Sequence, residues 1–445
     1  MEERMNAKCY SVLKRRHSLA PLQFTEKISI QEEMEEIVEC ITLLEDDLDN
    51  YDSDDEDDED DINDINDFND ILYGHLGELH ARLTVLTVFI DEPVDPIVPR
   101  DVVLDSYSEE YCYANFRFSV EQLEELIGEV EDGDDEYNGL LKLKSFYITD
   151  NRLKVPGVSA FLLFLKKHTA FSKLTDLAKD FMGKEYSYVS RTFNTFSIWM
   201  HETWGWRLSD ERVFQEYWQP HFGYFNQLLV AKYLNIFGDN IPERCEDICC
   251  FYDPTFYAIC KPVDYDLENI TYSSYEKQNG VKIGCLVFPN GMAGHVSSSI
   301  YGAKHNDCFV RNDSNVNSMI RDAQTNEMMQ YKAYKDRAFS STTHMVAMYN
   351  NRHIVMDDWQ QIENDNMKIL LCTVEWKHGR NNQFFGFTKD KRRLKISESP
   401  IGAHIHNTFL LDNILICYRG ANNLNYFGIE FNDVITARDY LSFEH

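Results

Sequence analysis

The chain has few basic residues for its length, no paired-cysteine motif and no apolar run long enough to cross a membrane. Its 445 residues include 43 Lys and Arg against 75 Asp and Glu, a formal net charge of −32 at pH 7. This excess of negative charge excludes a broad, non-specific affinity for polyanions, because most of the surface would repel phosphate. Any contact with nucleic acid must therefore come from local basic patches or from metal ions.

The cysteines are spaced like isolated thiols. None of the 11 forms a CxxC pair, and Cys245, Cys249 and Cys250 come nearest to a cluster. An odd number without framework spacing, and without a signal peptide, predicts reduced thiols in a cytosolic or nuclear protein. The longest apolar stretch, around Val155–Leu165, is far shorter than the ~20 residues of a membrane span, so no membrane partner is expected.

The negative charge is concentrated at one end of the chain. Residues 1–100 hold 8 Lys and Arg against 28 Asp and Glu, a net of −20, and the other 345 residues hold 35 against 47, a net of −12. The tract 43–70 is dominated by Asp, Glu and Asn, repels itself, and predicts that residues 1–100 are largely disordered. It lacks the EF-hand loop pattern, so a calcium site is not expected there. The basic run Lys14–His17 is typical of a weak nuclear import signal.

A helical region is predicted over residues 101–208. Ser119, followed three residues later by Gln122, predicts an N-cap and capping box for a helix over Val120–Val130. Val158–His168, with the apolar run Ala160–Leu165 at its centre, predicts a buried helix.

Two further helices on either side of a Met182-Gly183 turn predict a helix-turn-helix within this region. Leu174, Leu177 and Ala178 give the first helix its apolar face, and Val189, Phe193 and Phe196 face inward on the second. Arg191 and Asn194 lie on the polar side of the second helix and are candidates for contacts with a DNA groove. Such helix pairs also occur in helical domains that bind no DNA, so both interpretations stay open.

The stretch Cys249–Pro262 places one acidic residue within an apolar run. Ile248–Tyr252 and Phe256–Ile259 are rich in aromatic and branched residues and predict strands on both sides of Asp253. A carboxylate in such a run is costly to bury unless a cation or a hydrogen bond meets it. Asp253 is therefore either a strand-end residue beside a turn at Pro254 or a metal ligand.

The rest of the chain alternates short strands and helices, which predicts a mixed α/β (α+β) fold. The Pro289–Gly291 turn lies between strands predicted at Val281–Phe288 and Met292–Ser298. The remaining predicted elements are a polar loop over Tyr301–Asp313, a helix over Asn315–Ala323, a strand over Met328–Lys335, a helix over Trp359–Arg380 with Ile362, Ile369, Leu370, Cys372 and Val374 on its buried side, extended segments at Phe384–Phe387 and Leu394–Ile396, and a helix over Ala403–Leu415.

Three acidic residues are placed as two-metal phosphodiester chemistry requires. Asp253 lies in the first strand, Asp336 ends a later strand, and Glu375 lies on the following long helix. A carboxylate that bridges two cations roughly 4 Å apart must stand on rigid backbone, and other carboxylates complete the coordination. An acidic chain offers many such triples, so spacing alone does not decide the matter.

From about Ile241 to Gly428 the chain resembles the transposase domain of PIF/Harbinger elements, within the DDE superfamily. The resemblance rests on six blocks in the same order: CFYDPTFYAICKP around Asp253, Tyr272–Gly291, the loop Gly302–Asp307, YKDRAF around Asp336, Val374-Glu375-Trp376 with Phe384–Arg393, and Leu410–Phe427. The order of the blocks is more specific than any one of them. The helices before this domain also resemble the helix-turn-helix region of the same family.

The resemblance implies an RNase H-like core over residues 241–428, between the helical region and a C-terminal tail at 429–445. It implies that Asp253, Asp336 and Glu375 bind two Mg²⁺ or Mn²⁺ ions and catalyse hydrolysis and strand transfer on DNA in the nucleus. A basic patch of Lys391, Arg392, Arg393 and Lys395 would contact DNA phosphates. Related elements often use a Myb-like DNA-binding partner, and a homo-oligomer is one assembly the resemblance allows.

The chain departs from the family pattern at several positions. Pro254 and Lys335 replace glycines, Leu371 stands where the family commonly has an Arg, and Asn306 separates His305 from Asp307. All three acids are kept, which favours an active nuclease or transposase. The altered neighbours favour a domesticated or catalytically weakened relative that binds DNA or protein. An acidic regulatory protein that binds basic partners such as histones is a third hypothesis.

Overall fold

The computed structural model describes residues 104, 107–128, 139–143, 146–150, 153–169, 172–182, 186–238, 241–323, 330–336, 341–342, 344–349, 356–396, 398–431 and 435–443. Apart from residues 149–154, they belong to one compact unit. That unit covers the described residues within Pro99–Ile148 and Val155–His445. The predictions for residues 1–100, including the acidic tract 43–70 and the basic run Lys14–His17, lie outside the described residues.

The helical region begins with two short helices, α1 (Glu109–Phe116) and α2 (Val120–Ile127). The predicted capping box is confirmed, because the Ser119 hydroxyl accepts from the Gln122 N–H and the Gln122 side chain accepts from the Ser119 N–H. These bonds satisfy two amides that the first turn of a helix leaves without partners. Two strands follow and pair with each other, β1 (Tyr147–Asp150) and β2 (Leu153–Pro156).

The next helices form the packed part of this region. The predicted buried helix is confirmed as α3 (Gly157–Thr169), in which every residue except Val158 is buried. α4 (Leu174–Leu177) continues into a π-helical turn at Ala178–Met182, and α5 (Tyr186–Trp204) packs against α3. The predicted inward residues Val189, Phe193 and Phe196 are all buried. Residues 183–185, which would form the turn of the helix-turn-helix, are outside the described residues.

Helical segments connect this region to the sheet. α6 (Trp206–Ser209) is followed by a π-helical turn and a 3-10 turn, and α7 (Phe222–Phe237) packs directly on the first strand of the sheet. The strands of that sheet are β3 (Ile248–Ala258), β4 (Tyr272–Ser273), β5 (Gln278–Val287), β6 (Ala293–Val296), β7 (Tyr301–Gly302), β8 (Lys332–Lys335) and β9 (Met345–Ala347).

The sheet is mixed, with β3 at its centre. Its order is β4-β5-β3-β8-β9, and β6 and β7 also pair with β5. β3 runs antiparallel to β5 and parallel to β8, and β9 is parallel to β8. The predicted turn between β5 and β6 is confirmed, with Gly291 at φ +87°, a region that favours glycine. An antiparallel meander on one side of the first strand and parallel strands on its other side form an RNase H-like α/β core.

Asp253 and Pro254 lie inside one continuous strand, so the interpretation of Asp253 as a residue beside a turn is wrong. Pro254 is opposite Gly284 on β5, and Gly284 directs both its N–H and its C=O to Ser297. The pairing with β8 ends one position earlier than Asp253, at Tyr252 opposite Lys335. The missing N–H of proline therefore leaves no gap in the hydrogen bonds of the sheet.

Three short helices lie in the connections between the strands: α8 (Tyr265–Thr271), α9 (Asp307–Asp313) and α10 (Val316–Asp322). The last confirms the predicted helix over Asn315–Ala323, whereas the loop predicted over Tyr301–Asp313 is wrong for its second half. The Asn306 side chain accepts from the Phe309 N–H at 2.8 Å and starts α9, which packs on β3 and β5. The sequence did not predict this N-cap, because Asn306 stands in a polar segment that suggested a loop.

The long predicted helix is confirmed as α11 (Asp358–Phe384), which packs on β3 and β5. Leu370 and Val374 are buried as predicted, but Ile362 and Ile369 are 58% and 46% exposed. The extended segment predicted at Phe384–Phe387 is wrong, because α11 runs into a 3-10 turn at Gly386–Lys389.

The chain closes with α12 (Ile401–Arg419), α13 (Asn422–Phe427) and α14 (Ala437–Ser442). α12 confirms the predicted helix over Ala403–Leu415 and packs on α5 and α11. α14 lies within the segment predicted as a tail, and the buried Arg207 guanidinium donates to the carbonyls of Tyr440 and Phe443 there. Among the described residues every cysteine is free, and none of the helices is both long and apolar enough to cross a bilayer.

Candidate active site

Asp253 lies on β3, and Asp336 directly follows the neighbouring strand β8. Tyr252 is opposite Lys335 in the parallel pairing of β3 and β8, so the next residue of each strand is an aspartate. Neighbouring strands are about 4.8 Å apart, so the backbone positions of these two aspartates are adjacent. Asp336 lies just beyond β8, where the pairing has ended.

Glu375 approaches this pair from α11. Asp253 is paired with Cys285, and paired residues project from the same face of a sheet. The charges of Lys377 on α11 and Asp412 on α12 act on the Cys285 thiol, so α11 and α12 cover this face of the sheet. The imidazole of His378 lies against the backbone of Asp253, and Glu375, almost one turn earlier on α11, is exposed.

The charges around Asp253 show which groups share the site. Burial raises the pKa of the Asp253 carboxyl, the negative charges of Asp307, Asp336 and Glu375 raise it further, to about 8, and the ammonium of Lys282 opposes them. The charges of the other two acids that the sequence predicts as a triad therefore act on Asp253. Whether the three acids are the catalytic residues stays a prediction.

Asp307 and Lys282 are site residues that the sequence reasoning missed. Asp307 is the first residue of α9 and exerts the strongest charge effect on Asp253. Lys282 lies on β5, and its Nζ is 2.7 Å from Asp307 Oδ1. Asp307 was visible as the end of the Gly302–Asp307 block, and Lys282 was visible as the one charged residue within an apolar strand.

The donor chemistry of the site suits a hard divalent cation. Carboxylate oxygens are the ligands that Mg²⁺ and Mn²⁺ prefer, and a cation would relieve the repulsion among these acids. However, within the part of the chain that the structure describes, no group of three or more His, Cys, Asp or Glu side chains is arranged to hold a metal ion. The residues present fit the predicted metal by their chemistry, and their oxygens do not form a closed set of ligands.

A buried ion network holds α11 to α12 beside the site. Lys377 donates to Asp412 Oδ2 at 2.7 Å and to Asn413 Oδ1 at 2.8 Å, and Arg380 donates to Asp412 Oδ1. The side chains of Lys377 and Asp412 are completely buried. Because Lys377 is two residues from Glu375, this network fixes the part of α11 that carries the third acid.

Lys335 stands at one of the positions where the chain departs from the resembled family. Its side chain is buried, and burial and then the nearby Arg311 lower the pKa of its ammonium to about 7. Arg311 lies on α9, so the ammonium of Lys335 is close to the helix that begins at Asp307.

The predicted basic patch is largely paired with local acids. Arg392 and Arg393 both contact Asp390, at 3.1 and 3.3 Å, and Lys395 contacts Glu398 at 2.8 Å. Lys391 is exposed, and Arg392 is 85% exposed despite its ion pair. Phosphate would have to compete with two carboxylates for this patch, and its role in DNA binding stays a prediction.

The predicted groove residues lie on α5. Arg191 is exposed and its guanidinium lies over the ring of Tyr188, 4.9 Å from its centre, while Asn194 is partly buried. The placement is compatible with a polar helix face, and DNA contact by these residues stays a prediction.

Comparison with known proteins gives one informative match. The family model of the DDE superfamily endonucleases matches residues 252–413, a segment that contains Asp253, Asp307, Asp336 and Glu375. The comparisons with curated proteins and with solved structures gave no match. Over residues 252–413 the chain is therefore similar to the DDE superfamily endonucleases, which supports a transposase-like nuclease function.

Proposed function

We propose that the protein is a DNA endonuclease of the Harbinger transposase type, with Asp253, Asp336 and Glu375 as its catalytic acids. The observation that carries the proposal is the register of β3 and β8, which aligns Asp253 with Asp336 beside the helix that bears Glu375. The match to the DDE endonucleases over the same residues supports it. Strand transfer, in which a released 3′-hydroxyl attacks a second DNA, is part of the proposal.

The three acids would hold two Mg²⁺ or Mn²⁺ ions. When bound, the ions would lower the pKa of an attacking water and stabilise the leaving 3′-oxygen. The central strand and the buried Lys377–Asp412 pair hold Asp253 and Glu375 on rigid backbone, as positioned chemistry requires. Asp336, just beyond a strand end, would complete the set.

The test is metal-dependent nicking of supercoiled plasmid DNA. We expect nicking by the full chain in Mg²⁺ or Mn²⁺, none in EDTA, and none by Asp336→Ala, Asp253→Asn or Glu375→Gln. Asp365→Asn is a matched control, because Asp365 is an exposed acid on the same helix as Glu375. It should nick like the wild type.

Equal nicking by the wild type and by Asp336→Ala would contradict the proposal. A short labelled donor end with a free 3′-hydroxyl tests strand transfer separately, through joining of the label to plasmid. Nicking without joining would limit the activity to hydrolysis.

A second candidate function is DNA or protein binding by a catalytically weakened relative. The observation that favours it is the open arrangement of the acids, which in the described part of the chain do not form a ligand set. This candidate predicts DNA binding with no metal-dependent nicking, and no rise in melting temperature on addition of Mn²⁺.

The remaining proposals concern partners and place. Lys391, Arg392, Arg393 and Lys395, with Arg191 and Asn194, are proposed to contact DNA, and charge-removing variants should weaken binding in gel-shift assays. A Myb-like accessory protein and a homo-oligomer are proposed as partners, to be tested by co-purification and by light scattering. Nuclear localisation is proposed and would be tested by imaging a fluorescent fusion.

A further inference from the structure

Two arginines that are far apart in the sequence meet at the end of α11. Arg117 follows α1, and its Nε donates to the carbonyl oxygen of Phe384, the last residue of α11, at 3.2 Å. Arg380 lies on α11 itself, and its guanidinium is 4.9 Å from the centre of the Phe384 ring. Both guanidiniums therefore lie against one residue.

A third arginine, Arg419, joins them from the end of α12. Its Nη2 donates to Gln122 Oε1 at 3.3 Å, and its guanidinium is 4.4 Å from the centre of the Tyr113 ring. Tyr113 lies on α1 and Gln122 on α2, and Arg117 is in the turn between these two helices. These contacts place Arg419 beside Arg117. Burial, and then the charges of Arg380 and Arg117, lower the pKa of the Arg419 guanidinium, as expected for an arginine cluster of these three residues.

One acid beside the arginine cluster is shared by two cations. Asp412 Oδ1 is 3.1 Å from the guanidinium of Arg380. Asp412 Oδ2 is 2.7 Å from the ammonium of Lys377, whose side chain is completely buried. The single carboxylate therefore balances only one of these two positive charges.

The other two arginines, Arg117 and Arg419, form no ion pair with a carboxylate in the part of the chain that the structure describes. Glu109 is the acid whose charge acts on Arg419, and its carboxylate accepts from the Val120 N–H at 3.3 Å. Positive charge is therefore in excess at the arginine cluster, although the whole chain has a formal net charge of −32.

Arg117 and Arg419 are the members of the cluster that solvent reaches. Arg419 is exposed and Arg117 is partly exposed, whereas the Arg380 side chain is only 12% exposed. A guanidinium carries five N–H donors, and Arg117 and Arg419 each use one of them in a hydrogen bond to the described residues. The other donors suit an oxyanion, which guanidinium groups bind through paired, charge-assisted hydrogen bonds.

The backbone of Arg117 has a conformation that an arginine rarely adopts. Its φ is +68°, in the left-handed region, at the end of α1. Glycine is the residue that this position favours, and another side chain costs roughly 1 kcal/mol there. The sequence thus places a guanidinium where the backbone alone favours glycine. The charge can therefore be removed by a substitution that also relieves the backbone.

We propose that Arg117 and Arg419 bind a phosphate of the DNA backbone, with Arg380 adding positive charge beside them. A guanidinium fork fits a carboxylate as well as a phosphate, and the match to the DDE endonucleases favours phosphate. This inference rests on the proposed function. It names a DNA contact surface separate from the predicted basic patch and from the predicted groove residues on α5.

The test is binding of a labelled DNA duplex by the full chain, between about 50 and 200 mM salt in Ca²⁺, with intact DNA confirmed on a gel. We expect Arg419→Met to weaken binding by roughly 5- to 10-fold and to reduce the slope of log K against log salt by ~0.9. Arg117→Gly should weaken binding by a similar factor. Its melting temperature should stay close to that of the wild type, because relief of the backbone offsets the lost hydrogen bond to Phe384.

The controls separate phosphate contact from structural support and from a general effect of charge. Arg419→Lys keeps the positive charge and should keep the salt slope of the wild type. Arg212→Met removes an exposed arginine that pairs with Asp210 at 3.0 Å, and it should leave affinity and slope unchanged. Melting temperatures would show that each variant is folded.

Unchanged binding by Arg419→Met and Arg117→Gly would overturn the inference, and the arginine cluster would then meet an acidic protein or only hold α1 and α2 against α11. Weaker binding without a change in the salt slope would overturn it as well, and so would an equal loss in Arg212→Met. In each case the wild type still binds and nicks DNA, so the proposed function stands. A wild type that neither binds nor nicks DNA would overturn both.

Discussion

Asp253 provides a strong test of the site, because the folded protein disfavours its charged form. Its pKa rises from an ordinary value of 3.8 to about 8, chiefly through burial and then through the charges of Asp307, Asp336 and Glu375. The folded state therefore binds a proton more tightly than the unfolded state does. The stability that depends on this proton is complete below pH 4 and is lost as the pH rises towards 8.

The size of the effect follows from the change in pKa. Each pH unit between the two values corresponds to about 1.4 kcal/mol, so the upper bound at pH 8 is on the order of 6 kcal/mol. Asp253 is partly exposed, and salt and water reduce the effect, so we expect about half of this bound. Asp253→Asn, which cannot ionise, should then be more stable than the wild type at pH 8 by ~3 kcal/mol, or roughly 5 °C in melting temperature.

The assay is thermal unfolding of the wild type and of Asp253→Asn in EDTA from pH 5 to pH 8.5. The difference between them should be small at pH 5 and should grow with pH, while titrating groups that do not interact with Asp253 cancel. Mn²⁺ should reduce the difference at pH 8, because a bound cation stabilises the ionised carboxylate of the wild type. Asp365→Asn controls for the removal of one negative charge. A difference that is constant across this pH range would refute the account of the site.

Three further predictions concern the rest of the chain. Lys377→Met should lower the free energy of unfolding by roughly 3–5 kcal/mol in urea titrations, because it leaves the buried Asp412 without its closest cation. A loss below about 1 kcal/mol would contradict this prediction. Burial lowers the pKa of His404 and of His406 to about 3 each, so the free energy of unfolding should fall as the pH drops below 6.5. The variant His406→Asn should recover ~2 kcal/mol of that loss at pH 5. An equal loss in variant and wild type would count against this prediction. Deletion of the acidic tract 43–70 should strengthen DNA binding at low salt, and unchanged affinity in a gel-shift titration would argue against an autoinhibitory tract.

The features that the sequence predicts well depend on near neighbours in the chain. The capping box of Ser119 and Gln122 needs residues three positions apart, and its hydrogen bonds form within one turn. The turn between β5 and β6 depends on a glycine that tolerates a positive φ. The apolar run of α3 predicts burial without knowledge of what covers it.

The features that the sequence predicts poorly depend on distant residues. Pro254 suggested a turn, and it is accepted in a strand because Gly284 bonds to Ser297 instead. Ile362 and Ile369 fit a helical stripe, but α11 turns a different face to β3 and leaves them exposed. Burial of a helix face is decided by its neighbours, which periodicity alone does not identify.

The sequence by itself named the three candidate acids and indicated a DDE-type domain, and the family match over residues 252–413 supports that domain. Only the tertiary structure decided that Tyr252 pairs with Lys335, which aligns Asp253 with Asp336 across 83 residues of chain. It also brought the charges of Asp307 and Lys282 close enough to act on Asp253. The physical reason is that charge acts through space, so the charged partners of Asp253 are set by strand register and helix packing, and not by distance along the chain.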